Sequence, residues 1–227
     1  LLAAGDDDRR RCVLKRVRQD RHHDEAGCEA IGIGALGAGP IAAAQHEATK
    51  AIAWAPERYE IIRDADHLQR WIDAAYREGL VATDAESTGL DNQTADLVGL
   101  SFATQPGNGA YLPLGHTVGE GDIFGGGKAE GQMDTRQALE MIRPLFADKS
   151  ILKIFHNAKY DLGLLARYDV QVNSYDDTLL LSYSLDGPQF NTMSELADHW
   201  LGVPGTSIKD LIGSGKGQIT FAQVEID

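Results

Sequence analysis

From residue 59 onward, short apolar runs alternate with amphipathic segments, and this alternation predicts strands and helices in turn. The predicted strands cover residues 59–62, 80–84, 97–104, 110–114 and 151–155. The predicted helices cover residues 65–78, 134–145, 158–168, 177–185 and 193–201, and a short extended stretch covers 170–172. Three successive strands, followed by strands and helices in alternation, are typical of an α/β fold. Its mixed sheet would have an antiparallel start, with helices packed on it.

Residues 1–50 lack the features of a folded core. All tryptophans, tyrosines and phenylalanines follow this segment, and its acidic and basic side chains are equal in number. The glycines Gly32, Gly34 and Gly37 have the spacing of a dinucleotide-binding loop, but no apolar strand precedes them, so we expect no nucleotide cofactor. We predict a linker or poorly ordered lead-in over residues 1–50 and one domain over residues 51–227. Because position 1 is not methionine, we expect a fragment.

The net charge is strongly negative and unevenly placed. The chain has 21 Lys and Arg against 34 Asp and Glu, and the whole net charge of −13 falls in residues 51–227. A broad basic surface for nucleic acid is therefore excluded, and a polyanionic partner would need a local device such as a bound cation. Cys12 and Cys28 are too few for a disulfide scaffold or a multi-cysteine zinc module. Because no run of about 18 apolar residues occurs, we expect no membrane association and a cytoplasmic location.

Three acidic residues form the candidate chemical site. Asp84 and Glu86 are two positions apart at the end of a predicted strand, so both side chains project from the same face of the sheet. Asp161 shares a helical stripe with Leu164 and Leu165, which places it on the inward side of its helix. Two structural explanations are open. Asp84 and Glu86 can be ordinary acidic residues at the end of a strand, and Asp161 can have a buried Lys or Arg partner. The alternative is a three-carboxylate pocket for divalent cations such as Mg²⁺.

Five segments, taken together and in this order, resemble the 3′→5′ proofreading exonuclease domain of bacterial DNA polymerase I. They are TDAESTGLD (83–91), HNAKYDLGLLARY (156–168), DDTLLLSYSLDG (176–187), MSELADHWLG (193–202) and GKGQITF (215–221). That family belongs to the DEDD exonucleases and has a ribonuclease-H-like fold. The resemblance implies metal-dependent hydrolysis of the 3′-terminal phosphodiester of DNA with two Mg²⁺ or Mn²⁺ ions per site. It also implies a single-stranded DNA 3′ end as substrate and a polymerase domain in the same parent chain.

The resemblance implies roles for individual residues as well. Asp84 and Glu86 match the first exonuclease motif and Asp161 matches the second, so all three are expected to be catalytic metal ligands. Leu90 matches an apolar residue that packs against the terminal bases, and Asn157 matches a position near the terminal nucleotide. A core position for Leu90 and a simple helix N-cap for Asn157 remain open.

One motif of the family has no counterpart in this sequence. The third motif, Tyr-x-x-x-Asp, does not occur after Asp177, so three of the four metal carboxylates are present. We therefore expect the domain to be truncated before this motif and its activity to be impaired. The predicted function is proofreading 3′→5′ exonuclease activity. The alternatives are an RNA-trimming DEDD exonuclease and a catalytically inactive structural domain of a polymerase.

Overall fold

The computed structural model describes residues 59–118, 127–188, 192–203, 205 and 208–226. The predictions made for residues 1–50, including the glycine pattern and both cysteines, lie outside these residues, as does the start of the predicted domain. Every structural statement below concerns the described part of the chain.

A six-stranded mixed sheet forms the centre of the described residues. Its strands are β1 (Glu60–Ile61), β2 (Leu80–Ser87), β3 (Leu97–Gln105), β4 (Asn108–Pro113), β7 (Leu152–Phe155) and β8 (Tyr175–Asp177), while β5 (Thr117–Val118) and β6 (Gly127–Lys128) pair separately. The strand order is β1-β4-β3-β2-β7-β8. β2, β3 and β4 are antiparallel neighbours, whereas β7 is parallel to both β2 and β8, and β1 is parallel to β4. This arrangement confirms the predicted mixed sheet with an antiparallel start.

Five of the described helices begin and end close to the predicted positions, and a short sixth helix was not predicted. They are α1 (Ala65–Glu78), α2 (Thr135–Ala147), α3 (Ala158–Ala166), α4 (Thr178–Asp186), α5 (Met193–Leu201) and α6 (Ile208–Ile212). Asp64 caps the N-terminus of α1, and Gly79 ends it in the left-handed region at φ 71°. Asp134 caps α2 by accepting the backbone N–H of Gln137. Among the described helices, none has the length and apolar character needed to cross a membrane.

Helices α1, α2 and α3 pack on one face of the sheet, and the main hydrophobic core lies between them and the strands. The helical side chains buried there include Leu68, Trp71, Ile72, Leu139, Ile142, Leu145, Leu164 and Leu165. On β2, Val81 and Ala85 belong to this core. Because side chains alternate along a strand, Asp84 and Glu86 project from the opposite face of β2.

One predicted element is displaced. The stretch 170–172 is not a strand; the strand in this region, β8, begins at Tyr175. Asp169 (φ 58°) and Ser174 (φ 51°) both adopt left-handed backbone conformations and turn the chain around this segment. Val170 is nevertheless buried, with 2% of its surface exposed. The apolar residues at 170–172 therefore indicated that a residue of this loop is buried, not that the loop pairs with a neighbouring strand.

Candidate active site

β2 presents Asp84 and Glu86 on the sheet face opposite the main core. The strand runs between β3 and β7, and in its pairing with β3 Asp84 lies opposite Ser101 and Glu86 opposite Gly99. The partners across the strand are therefore a small polar residue and a glycine. Both carboxylates are partly exposed on this face.

Helix α3 brings Asp161 to the same strand. Its side chain is 2% exposed, and Oδ1 accepts the backbone N–H of Ala85 at 3.0 Å. Leu164 and Leu165, three and four residues later, are fully buried, which confirms that Asp161 lies on the inward stripe of the helix. Because Ala85 is the residue between Asp84 and Glu86, the three carboxylates converge on one segment of β2.

Burial disfavours the charged forms of all three groups, and repulsion from neighbouring carboxylates adds to this for Glu86 and Asp161. Burial raises the pKa of Asp161 to about 8, and the charges of Asp84 and Glu86 add to this rise. Burial likewise raises the pKa of Glu86 to about 7, with a further contribution from Asp84. The pKa of Asp84 is also raised by burial, although the Ala85 N–H and the nearby His156 oppose the change. A bound cation would reverse this penalty because it favours the ionised carboxylates.

The donor set suits a hard divalent cation, since carboxylate oxygens are the ligands that Mg²⁺ and similar ions prefer. Within the described residues, no Lys or Arg forms an ion pair with Asp84, Glu86 or Asp161, so a buried basic partner for Asp161 is excluded there. In the same part of the chain, no three acidic, His or Cys side chains form a preassembled metal cluster. The three carboxylates therefore lie near one another, but without a cation they do not form a metal-coordination shell.

Asp177, rather than Asn157, holds the turn that leads into α3. Asn157 is the N-cap residue by position, as predicted, but its backbone is left-handed (φ 64°, ψ 47°) and its side chain makes no capping hydrogen bond. The Asp177 carboxylate instead accepts the backbone N–H groups of Asn157, Ala158 and Leu179 at 3.0, 2.9 and 2.9 Å. Capping by the Asn157 side chain is therefore wrong as a prediction. The exposed carboxamide lies at the start of the helix that carries Asp161.

Leu90 lies on the loop that follows β2 and is 98% exposed, so a core position for this residue is wrong. Helix α3 holds the loop in place. The Tyr160 hydroxyl donates to the Gly89 carbonyl and lies 2.5 Å from the Ser87 hydroxyl oxygen. Asn92 Nδ2 donates to the Tyr160 carbonyl at 3.1 Å. The helix that carries the buried carboxylate thus also fixes the loop that exposes the leucine.

The sequence identified the three carboxylates but not the residues that position them. Tyr160 precedes Asp161 directly, and only the adjacency to an acidic position could have drawn attention to it. Asp177 caps α4 through the Leu179 N–H. Its second attachment, to the turn before α3, depends on the pairing of β7 with β8 and has no local sequence signal.

Comparison with known proteins gives matches over most of the chain. A family model described as 3′-5′ exonuclease matches residues 59–225. The chain is 41% identical over 204 residues to DNA polymerase I of Rhizobium leguminosarum, covering 86% of this chain and 20% of that protein. It is 34% identical over 174 residues to DNA polymerase I of Pseudomonas aeruginosa, covering 74% of this chain and 18% of that protein. The chain spans about a fifth of the length of these relatives.

The fold is also similar to a solved structure. The crystal structure of Escherichia coli RNase D, an exoribonuclease involved in structured RNA processing, matches with a TM-score of 0.50 at 18% identity. The match covers 69% of this chain and 36% of that protein, and it supports the predicted ribonuclease-H-like α/β fold. Because the family model matches residues 59–225, nearly the whole described region, the chain belongs to the 3′-5′ exonuclease family, in a form similar to that found in bacterial DNA polymerase I.

Proposed function

We propose that this chain is the proofreading domain of a DNA polymerase I. It would remove 3′-terminal deoxynucleotides from single-stranded ends and release nucleoside monophosphates by hydrolysis. The observation that carries the proposal is the attachment of Asp161 to Ala85 at 3.0 Å, which brings a third carboxylate to the strand segment of Asp84 and Glu86. Membership of the 3′-5′ exonuclease family supports this chemistry. The partners would be the 3′ end of a DNA strand and the polymerase domain of the parent chain, in the cytoplasm.

Asp84, Glu86 and Asp161 would hold two Mg²⁺ or Mn²⁺ ions. The raised pKa values of the three groups support this assignment, because clustered carboxylates that resist ionisation alone gain most from a cation. When bound, such ions supply the positive charge that attracts phosphate and activates water for in-line attack. They would also explain how a chain of net charge −13 receives a polyanion.

The other predicted site residues would bind the substrate. Leu90, with 98% of its surface exposed on a loop tied to α3, would pack against the terminal base. Asn157 would contact the terminal nucleotide through a carboxamide that the helix does not use as a cap. Both groups lie on segments attached to the carboxylate-bearing elements, so the nucleotide and the scissile phosphate would be positioned together.

DNA is favoured over RNA as the substrate by the sequence comparisons. The similarity to DNA polymerase I extends over 86% of the chain at 41% identity, whereas the similarity to RNase D concerns the fold. The three acidic residues argue against a purely structural domain, since such a domain would have no need of a repulsive cluster away from basic partners.

The test is release of a labelled 3′-terminal nucleotide from single-stranded DNA with Mg²⁺, Mn²⁺ or EDTA. We expect release that depends on the metal and is lost in Asp84→Asn. Asp73→Asn, an exposed substitution on α1, is the matched control and should retain the wild-type rate. Faster trimming of an RNA of the same sequence would favour the RNA exonuclease. The absence of release from either strand would favour the structural domain.

A further inference from the structure

Tyr111 stands beside Glu86 on the carboxylate-bearing face of the sheet. In the pairing of β3 with β4, Tyr111 lies opposite Ser101, which in turn lies opposite Asp84. The Tyr111 ring leans along the sheet toward Gly99, where its hydroxyl oxygen is 2.1 Å from the position that a Cβ atom would occupy. Gly99 is the direct partner of Glu86, and opposed Cβ positions are about 5 Å apart. The Tyr111 hydroxyl is therefore within hydrogen-bonding reach of a Glu86 side chain.

His116 determines where the Tyr111 proton points. The ring of His116 is buried, with Nε2 at 2.7 Å from the Tyr111 hydroxyl and Nδ1 at 2.8 Å from the Val224 carbonyl oxygen. A carbonyl oxygen can only accept, so Nδ1 carries the ring proton. In a neutral imidazole Nε2 is then an acceptor, and the Tyr111 hydroxyl must donate to it. The phenol proton is consequently directed away from Glu86.

The position of His116 is itself fixed from several sides. Its backbone N–H donates to Gln132 Oε1 at 2.7 Å, and Gln132 Nε2 donates back to the His116 carbonyl at 2.9 Å. The ring packs edge-on against Tyr111 and at a tilt against Phe221, with centroids 5.6 and 5.9 Å away. These contacts together favour the orientation in which the imidazole accepts from the phenol.

We propose that His116 keeps Glu86 available to a cation by holding the hydroxyl proton of Tyr111. If this acceptor were lost, the phenol would turn and donate to the Glu86 carboxylate, which would occupy an oxygen that the cation needs. His116 acts through Tyr111 and is a positioning residue for the proposed metal-dependent site. The inference rests on the proposed function, since it assumes that Glu86 binds a cation.

The experiment is Mn²⁺ binding to the 227-residue chain, measured by electron paramagnetic resonance of free Mn²⁺. His116→Phe keeps an aromatic ring and removes both nitrogens, and we expect Mn²⁺ affinity to fall about tenfold, as for competition by a charge-assisted hydrogen bond. Adding Tyr111→Phe should restore the affinity, because no hydroxyl remains to occupy Glu86. A merely structural role for His116 predicts the opposite, that the double variant binds at least as weakly as the single one.

Further variants keep the outcomes separate. His116→Gln retains an acceptor for the phenol and should bind Mn²⁺ like the wild type. If His116→Phe does not fold, weakened Mn²⁺ binding by folded His116→Gln would overturn the inference. Tyr168→Phe is the matched control, because that hydroxyl accepts the Leu97 N–H and belongs to the core side of the sheet. An unchanged affinity in folded His116→Phe, or no recovery in the double variant, would overturn the inference. Absence of Mn²⁺ binding by the wild type would instead overturn the metal site of the proposed function.

Discussion

Asp161 Oδ1 accepts the backbone N–H of Ala85 at 3.0 Å, so α3 is attached to β2 at the residue between Asp84 and Glu86. The donor is a main-chain atom of a central strand, and the sheet itself therefore sets the position of the buried carboxylate. One N–H satisfies only part of the hydrogen-bonding capacity of a carboxylate. The strand thus fixes the position of the Asp161 carboxylate. Its negative charge remains unfavourable there unless a cation binds.

Asp161→Asn should stabilise the chain when no divalent ion is present. The Asn side-chain oxygen can still accept the Ala85 N–H, while the charge that repels Asp84 and Glu86 is removed. We expect the free energy of unfolding, measured by urea denaturation at pH 8.5 in EDTA, to rise by about 1–2 kcal/mol. The exposed control Asp73→Asn should leave it unchanged. A variant less stable than the wild type would contradict the electrostatic interpretation of this site.

The stability of the wild-type chain in EDTA should fall as the pH rises from about 5 to about 8. The folded-state pKa values of Glu86 and Asp161, about 7 and about 8, lie above the ordinary values of 4.5 and 3.8. The folded chain therefore binds more protons than the unfolded chain in this window, and raising the pH favours unfolding. We expect a loss of several kcal/mol between these limits, measured by urea denaturation at each pH.

Saturating Mg²⁺ should reduce this pH dependence, because cation binding favours the ionised carboxylates of the folded state. Asp161→Asn should reduce it even in EDTA, since one of the two strongly shifted groups is gone. Stability that instead rises from pH 5 to pH 8 in EDTA would show that the carboxylates are not the groups that control it.

The strands, the helices and the placement of the three carboxylates could be predicted from local periodicity. The spacing of two residues placed Asp84 and Glu86 on one strand face, and the leucines three and four residues after Asp161 placed it inward. Both inferences need only the geometry of a single strand or helix. The bounds of α1 were also predictable, because a cap and a glycine are local signals.

The contacts that position the site could not be predicted in this way. The bonds from Asn157 and Ala158 to Asp177 span about 20 residues, and the Tyr160 bond to Gly89 spans 71. Such pairs follow from the order of strands in the sheet, which a period of 2 or 3.6 residues does not contain. The left-handed backbone of Asn157 belongs to the same class, since Asp177 supplies the capping atoms from another strand.

Asp177→Ala should destabilise the chain by about 2–3 kcal/mol, because three backbone N–H groups lose a charged acceptor at a site that is 8% exposed. Mn²⁺ affinity should fall as well, since the turn that starts α3 would loosen. Asp176→Ala is the matched control and should change the free energy of unfolding by less than about 0.5 kcal/mol. Equal effects of the two substitutions in urea denaturation would contradict the role assigned to Asp177.

Leu90→Ala should weaken binding of a single-stranded 3′ end without altering stability. Leu90 is 98% exposed, so its truncation removes no packing in the free chain. On binding, the lost apolar contact with the terminal base should lower affinity about fivefold to tenfold. The measurement is fluorescence anisotropy of a 5′-labelled oligonucleotide with Mg²⁺ in an Asp84→Asn background, which prevents degradation.

Leu211→Ala is the control for Leu90→Ala, because Leu211 on α6 is also a strongly exposed leucine, at 48%. Asn92→Ala adds a second comparison. It leaves Leu90 intact but removes the bond from Asn92 Nδ2 to the Tyr160 carbonyl, so the loop would gain freedom and binding should weaken to a smaller extent. If Leu211→Ala weakened DNA binding as much as Leu90→Ala, the contact would be a general apolar surface effect and not a terminal-base contact made by Leu90.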